Sequence, residues 1–272
     1  MGKLDGKVAF ITGAARGQGR AHCVRMAQEG ADISGIDLCG QMSAVGYPMG
    51  TQEELDQTQK EVEALGRTMV ALQADVRDVA SLQKAYDAGV AALGPVTIVV
   101  ANAGIGPGGT PVSEETQWDE VVSVNLTGVW NTGRVTIPPM IENGQGGSII
   151  ITSSTGALIS PPAMHAGMLG YAAAKHGTLG LLRSWANYCG PHFIRVNSIA
   201  PTTVRTPMAG GGNVAQIIQH SPNLANSLTN LIPVEAVDPE DIAACGAFLA
   251  SDDARYITGT VVPVDAGNVV RR

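Results

Sequence analysis

Short apolar runs recur along the chain, each followed by a longer stretch with one polar and one apolar face. The runs are Val8 to Ile11, Ala31 to Ile36, Met69 to Leu72, Val96 to Ala101, Ser148 to Ser153, Arg195 to Ile199 and Thr260 to Val264. Their length suits buried strands, and the apolar character of Val96 to Ala101 suits a parallel strand covered on both faces. Between them the pattern changes to a helical period. Arg20 to Gln28 reads as a helix. Thr51 and Glu54 form a capping box before a helix that keeps Leu55, Val62 and Leu65 on one face, and Gly66 stops it. Asp78 caps a helix that runs to Leu93 and is broken by Gly94-Pro95. Glu114 to Val135 and Asp238 to Ala250 complete the set. Strands alternating with crossover helices predict an α/β fold, a doubly wound parallel sheet of about seven strands with helices on both faces. No linker or repeat divides residues 1–272, so a single domain is expected.

The sheet's carboxyl edge carries the candidate chemistry. Gly13, Asp37, Asp75 and Asn102 each follow a predicted strand, where ligands of such sheets bind. Gly13, Gly17 and Gly19 sit between the first strand and the first helix, a turn that lets backbone N–H groups and a helix N-terminus approach a phosphate. Asp37 ends the second strand, where a carboxylate can accept from both ribose hydroxyls of an adenosine and would repel a 2′-phosphate. NAD is thereby favoured over NADP, with Arg16 able to offset part of that repulsion. The plainer reading of Asp37 is a solvated strand end. After it, Leu38 to Gly50 has neither period and is long for a strand-to-helix connection, so it reads either as a cofactor lid or as a tolerated surface insertion.

Composition narrows the function. The 272 residues are 44% hydrophobic and 15% charged, with 34 glycines, as expected of a globular protein with many tight turns. A net charge of -7 without a basic cluster argues against nucleic acid. No signal-peptide layout or membrane-length apolar run is present, which predicts a cytoplasmic protein and no membrane partner. Cys23, Cys39, Cys189 and Cys245 are widely spaced, so neither a metal site nor a disulfide framework is expected.

Tyr171-Ala-Ala-Ala-Lys175 is the strongest catalytic signal. One helical turn separates the two side chains, so an ammonium can sit near a phenol whose ordinary pKa is about 10. A neighbouring cation lowers that pKa and makes the phenol usable as acid or base. With 5 Tyr in 272 residues, chance supplies such a spacing about 0.1 times. Asn102-Ala103-Gly104 follows the fourth strand, Asn125 interrupts a helical stretch as a polar kink or a simple exposed side chain, and Ser153, Ser154 and Thr155 end the fifth strand.

Taken in this order, Thr12-Gly13-x-x-x-Gly17-x-Gly19, Asn102-Ala103-Gly104, the strand-end serines and Tyr171-x-x-x-Lys175 resemble the short-chain dehydrogenase/reductase family, over the whole chain and with a Rossmann-like fold. The resemblance implies Tyr171 as acid/base and Lys175 as its modulator and the holder of the nicotinamide ribose. It also implies a strand-end serine polarising the substrate oxygen, and Asn125 anchoring a relay water. Alignment of the fifth strand selects Ser154, while counting back from Gly156 selects Ser153. The implied dinucleotide contacts are Gly13, Arg16, Gly17, Gln18 and Gly19, then Asp37 and Leu38, Asp75 and Val76, Asn102, Ala103 and Gly104. Tyr171, Lys175, Val204 and Thr206 complete them, the last two at the carboxamide. Thr202 stands where the family usually has glycine, and Gln18 where an aliphatic residue is common.

Ser160 to Gly170 lengthens the interval before Tyr171 and is expected to wall the substrate pocket, with His165 a loop or pocket residue. Met208 to Pro233 is the expected substrate loop. Gly17-Gln18-Gly19-Arg20, Asp37-Leu38-Cys39 and His176-Gly177 look like the carveol dehydrogenase branch, which implies NAD held under the loop after Asp37 and mycofactocin as a redox carrier. The family also implies a homotetramer. The activity so implied is hydride transfer between NAD and a small apolar secondary alcohol or ketone. An acyl-carrier ketone reductase and a non-catalytic cofactor sensor are the alternatives.

Overall fold

The computed structural model describes residues 2–106, 110–160, 162–210 and 229–271. Seven parallel strands form one sheet: β1 (Val8–Thr12), β2 (Asp32–Asp37), β3 (Met69–Gln73), β4 (Ile98–Ala101), β5 (Gly147–Thr152), β6 (Ile194–Pro201) and β7 (Val261–Val264). Their order is β3-β2-β1-β4-β5-β6-β7, so the winding reverses between β1 and β4. The helices are α1 (Gly17–Gln28), α2 (Gln52–Glu63), α3 (Val79–Leu93), α4 (Glu114–Val122), α5 (Gly128–Asn143), α6 (Ala166–Cys189), the short α7 (Pro207–Gly210) and α8 (Pro239–Ala250).

Strand alternation sends successive side chains to opposite faces. Phe10, Val99, Ile149 and Ile151 join a core with Leu82 and Tyr86 of α3, Val129 of α5 and Leu182 of α6. Ala9, Ile11, Val100 and Ile150 join a second core with Met26 of α1, Leu55 of α2 and Ile242 of α8. Phe10 meets Tyr86 edge-on, with ring centroids 5.4 Å apart. Both faces are covered, and the polar residues that do sit inside strands, such as Asn197 and Ser198 of β6, are buried and hydrogen-bonded.

The capping expectations hold. The Thr51 hydroxyl accepts from Glu54 N and the Glu54 carboxylate from Thr51 N, while Asp78 accepts from Ala80 N and Ser81 N. Three readings are corrected. Leu65 lies beyond the end of α2 and is 41% exposed, because Gly66 at φ +76° turns the chain away there. The helix after Asn125 does not stop at Val135 but runs through Pro138 and Pro139 to Asn143, held to the sheet by buried Ile137 and Met140. Met164 is 89% exposed and His165, the cap before α6, is exposed, so these two side chains point outward rather than walling a pocket, while Gly167 and Gly170 are buried. Pro161, and residues 211–228 of the expected substrate loop, lie outside the described residues.

Candidate active site

The glycine turn leaves β1 and enters α1 with its amides facing a cleft at the β1/β4 reversal. Gly19 is held tightly there, since a Cβ on it would lie 1.7 Å from the Gly13 carbonyl oxygen. The cleft is lined by Gly13, Arg16, Gly17, Gln18, Gly19, Asp37, Leu38, Asp75, Val76, Asn102, Ala103, Gly104 and Thr206, the dinucleotide contacts expected from the sequence except Val204, Tyr171 and Lys175. Val204 is buried behind it and pairs with Val237. A bare backbone cradle at a helix N-terminus fits a diphosphate.

Each strand end is braced. The Thr12 hydroxyl accepts from Asn102 N and Ala103 N, and the Asn102 side chain donates to Thr12 O at 3.0 Å. The Asp37 carboxylate accepts from Ala15 N at 3.0 Å and Cys39 N at 3.2 Å, which orients it at the cleft wall and leaves further lone pairs for ribose hydroxyls. Arg16 donates to the Pro48 carbonyl and lies 3.9 Å from the Glu54 carboxylate, so part of its guanidinium is engaged by the protein itself. Burial disfavours the charged Asp75 carboxylate, but the Arg77 guanidinium and amide outweigh it and hold the carboxyl below its ordinary range. Gln18 Oε1 is buried without a partner among the described residues.

The segment from Leu38 to Gly50 lies over this cleft as a cover, with Met42, Tyr47, Met49 and Gly50 lining it. Glu120 of α4 ties it down by accepting from the Ser43 hydroxyl at 2.6 Å and Ala44 N at 2.9 Å. Tyr47 accepts from Gly106 N at 2.9 Å. Sequence reasoning named none of these side chains. Its available signal was the apolar content of a loop without period, since Met42, Ala44, Val45 and Tyr47 are all buried.

At the nicotinamide end, Ser154 Oγ and the Tyr171 ring meet beside Gly156, where a Cβ would lie 3.4 Å from the one and 3.8 Å from Cε1 of the other. Ser154 Oγ accepts from Gly156 N at 3.0 Å. Ser153 points the other way, donating to Lys175 O at 3.2 Å and accepting from Thr178, which locks β5 to α6. The geometry therefore places Ser154, not Ser153, beside the phenol. Lys175 is 3% exposed, with Nζ 2.8 Å from Thr152 O and 5.7 Å from the Tyr171 ring centroid.

The expected lowering of the phenol's pKa is corrected for the protein alone. Burial raises Tyr171, and Ser154 beside it only partly opposes the rise. Burial also pulls Lys175 down to about 8.

Asn125 lies in a π-helical turn, Ser123–Thr127, between α4 and α5, so the kink reading holds and the exposed one does not. Its Nδ2 donates to Ile105 O at 2.8 Å and its Oδ1 accepts from Ile105 N at 3.1 Å. Its amide thus pins the backbone after β4. Gly104 fits between the two groups, since a Cβ there would lie 2.7 Å from Asn125 Oδ1 and 3.6 Å from Lys175 Nζ. Thr202 uses its side chain where glycine is usual, donating to Asn230 Oδ1 at 2.8 Å across to the next loop.

Residues 13–268 match the family model described as enoyl-(acyl carrier protein) reductase. The chain belongs to the short-chain dehydrogenase/reductase family. Among its family relatives, the (-)-trans-carveol dehydrogenase of Rhodococcus erythropolis is 44% identical over 283 residues, covering 100% of both chains. A carveol dehydrogenase from Mycobacterium avium, solved in complex with NAD, superposes with a TM-score of 0.91 at 43% identity over 100% of both chains. A short-chain dehydrogenase from Mycobacterium paratuberculosis, bound to NAD, gives 0.92 at 44% identity over 99% of this chain and 100% of that one. Family membership makes the protein an oxidoreductase.

Proposed function

We propose that the protein transfers hydride between NAD and a small apolar secondary alcohol or its ketone, as a carveol dehydrogenase-like enzyme. The observation that carries this reading is the Ser154–Tyr171–Lys175 cluster, which adjoins the Asp37-lined cleft at Gly104, where a Cβ would lie 3.6 Å from Lys175 Nζ. NAD, when bound, supplies the hydride acceptor and a positive ring next to the phenol. The α1 amides hold the diphosphate and Asp37 the adenosine ribose. Lys175, facing the cleft past Gly104, holds the nicotinamide ribose, and Val204 with Thr206 the carboxamide.

Ser154 donates to the substrate oxygen and orients it on the Tyr171 hydroxyl. Tyr171 passes its proton to that oxygen in ketone reduction and takes it back in alcohol oxidation. The raised phenol favours the protonated form in the nucleotide-free protein. Asn125 positions Ile105 with one N–H and one lone pair of its amide, and the anchoring of a relay water at this residue is part of the same reading.

The same reading includes a homotetramer, supported by apolar surface at Trp118 and Trp130 on α4 and α5. It includes mycofactocin as the carrier that reoxidises a covered cofactor, supported by the tied-down segment over the cleft. A cytoplasmic location accords with the free thiols of Cys23, Cys39, Cys189 and Cys245. An acyl-carrier ketone reductase that prefers NADPH is disfavoured by the oriented Asp37 carboxylate, which would repel a 2′-phosphate.

The test is turnover of a terpene-alcohol panel with NAD and NADP. NAD-specific oxidation that is abolished in Tyr171→Phe supports the reading. Equal rates with NADP refute the role of Asp37, and an active Tyr171→Phe refutes the role of the phenol.

A further inference from the structure

Tyr47 is the one aromatic residue of the cover and is 7% exposed. Its oxygen accepts the Gly106 N–H, which occupies a lone pair and leaves the phenolic proton to be donated near the ring plane. Among the described residues no acceptor takes that proton. Burial pushes the hydroxyl up to about 12, so it remains a donor at any working pH.

The neighbours of Tyr47 fix where this donor sits. A Cβ on Gly106 would lie 2.9 Å from Met208 Cγ and 3.7 Å from Tyr47 Cε1. Met208 follows Thr206, whose Cγ2 would be 3.1 Å from a Cβ on Gly17. Gly17, Thr206, Met208 and Tyr47 line the same cleft, with Gly106 packed between Met208 and Tyr47, so contacts link the glycine turn to the phenol. The α1 N-terminus, which favours an anion, opens into the same cleft as Tyr47. Arg16, the cation of the turn, is directed to Pro48 and Glu54.

We propose that the Tyr47 hydroxyl donates to the diphosphate of the bound dinucleotide, closing from the cover side the anion site that the α1 amides open from below. The inference rests on the dinucleotide reading above and adds a binding residue from a segment outside the glycine turn. The Gly106 N–H fixes the phenol's orientation, so the donor is in place before the ligand arrives.

The experiment compares wild type with Tyr47→Phe, which keeps the ring. Calorimetry measures ADP and adenosine, and nicotinamide fluorescence measures NADH, with nucleotide retained through gel filtration as a second readout. Thermal unfolding of the nucleotide-free variant checks its fold. A hydrogen bond to a charged group corresponds to a rise in Kd of about tenfold or more. We expect that rise for ADP and NADH, reduced retention, and unchanged adenosine binding. Unchanged ADP binding overturns the proposal. An equal loss for adenosine overturns it in favour of a displaced cover, and a raised alcohol KM with unchanged NADH affinity overturns it in favour of substrate contact. Wild-type protein that binds neither ADP nor NADH overturns the dinucleotide reading itself, and the role of Tyr47 with it.

Discussion

Lys175 sets stability against chemistry, and the conflict can be measured. The side chain is 3% exposed, and Nζ donates to the Thr152 carbonyl. Burial pulls its pKa from 10.5 to about 8. In the unfolded chain the lysine keeps its proton to higher pH, so between about 8 and 10.5 the unfolded state binds more protons and stability rises with pH. Below that window the folded protein carries the whole penalty. A fall from 10.5 to about 8, at ~1.4 kcal/mol per pH unit, corresponds to ~3 kcal/mol. Lys175→Met removes the charge and keeps most of the apolar stem, but leaves Thr152 O without its donor, at about 1 kcal/mol. The net expectation is a nucleotide-free variant more stable at pH 7 by about 2 kcal/mol, or a Tm higher by roughly 4–8 °C for a chain of this size. The assay is thermal unfolding from pH 6.5 to 10, beside turnover of the same preparations. Turnover should be lost, and the gap in Tm should narrow as the pH approaches 10. A variant less stable than wild type at pH 7, or a gap that stays constant across the series, would refute the reasoning.

The two adjacent serines should separate cleanly. Ser154→Ala is expected to lower kcat about a hundredfold or more with little change in Tm, while Ser153→Ala should keep kcat and lose about 1 kcal/mol of stability with its bonds to Lys175 and Thr178. Gly104→Ala places a Cβ 2.7 Å from Asn125 Oδ1, so kcat should fall and denaturant unfolding should show a loss of about 1–3 kcal/mol; full activity in this variant would remove Gly104 from the site. His22, fully buried against α8 with both ring nitrogens unpartnered among the described residues, is pulled by burial from 6.5 to about 4. The unfolded chain protonates it first, so stability should fall as pH drops from 6.5 toward 4, by up to ~3 kcal/mol, and His22→Leu should flatten that slope.

The alternation of short apolar runs with capped helices was enough to read the seven parallel strands, because a strand buried on both faces leaves a run of mainly apolar residues. The glycine turn, Asp37, Asn102-Ala103-Gly104 and Tyr171 with Lys175 were legible for a related reason. Each follows a strand or shares one helix turn, so local geometry alone brings it to the sheet's carboxyl edge. Asn125 was visible as a poor helix former, and the π-helical turn bears that out.

The residues that escaped the sequence act at a distance. Glu120 reaches Ser43 and Ala44 across 76 or more positions, and Tyr47 reaches Gly106 across 59, so no spacing rule connects them. Whether Leu38 to Gly50 is a lid or an insertion depended on those long-range hydrogen bonds, as did the choice between Ser153 and Ser154, whose neighbouring side chains leave the strand end in opposite directions. The direction of the Tyr171 shift also needed the fold, because the desolvation that raises the phenol depends on everything packed around it. The chain's order thus determined which chemistry lies along the sheet edge. Only the packed structure decided which groups face one another there, because burial and contacts between remote segments exist only after folding.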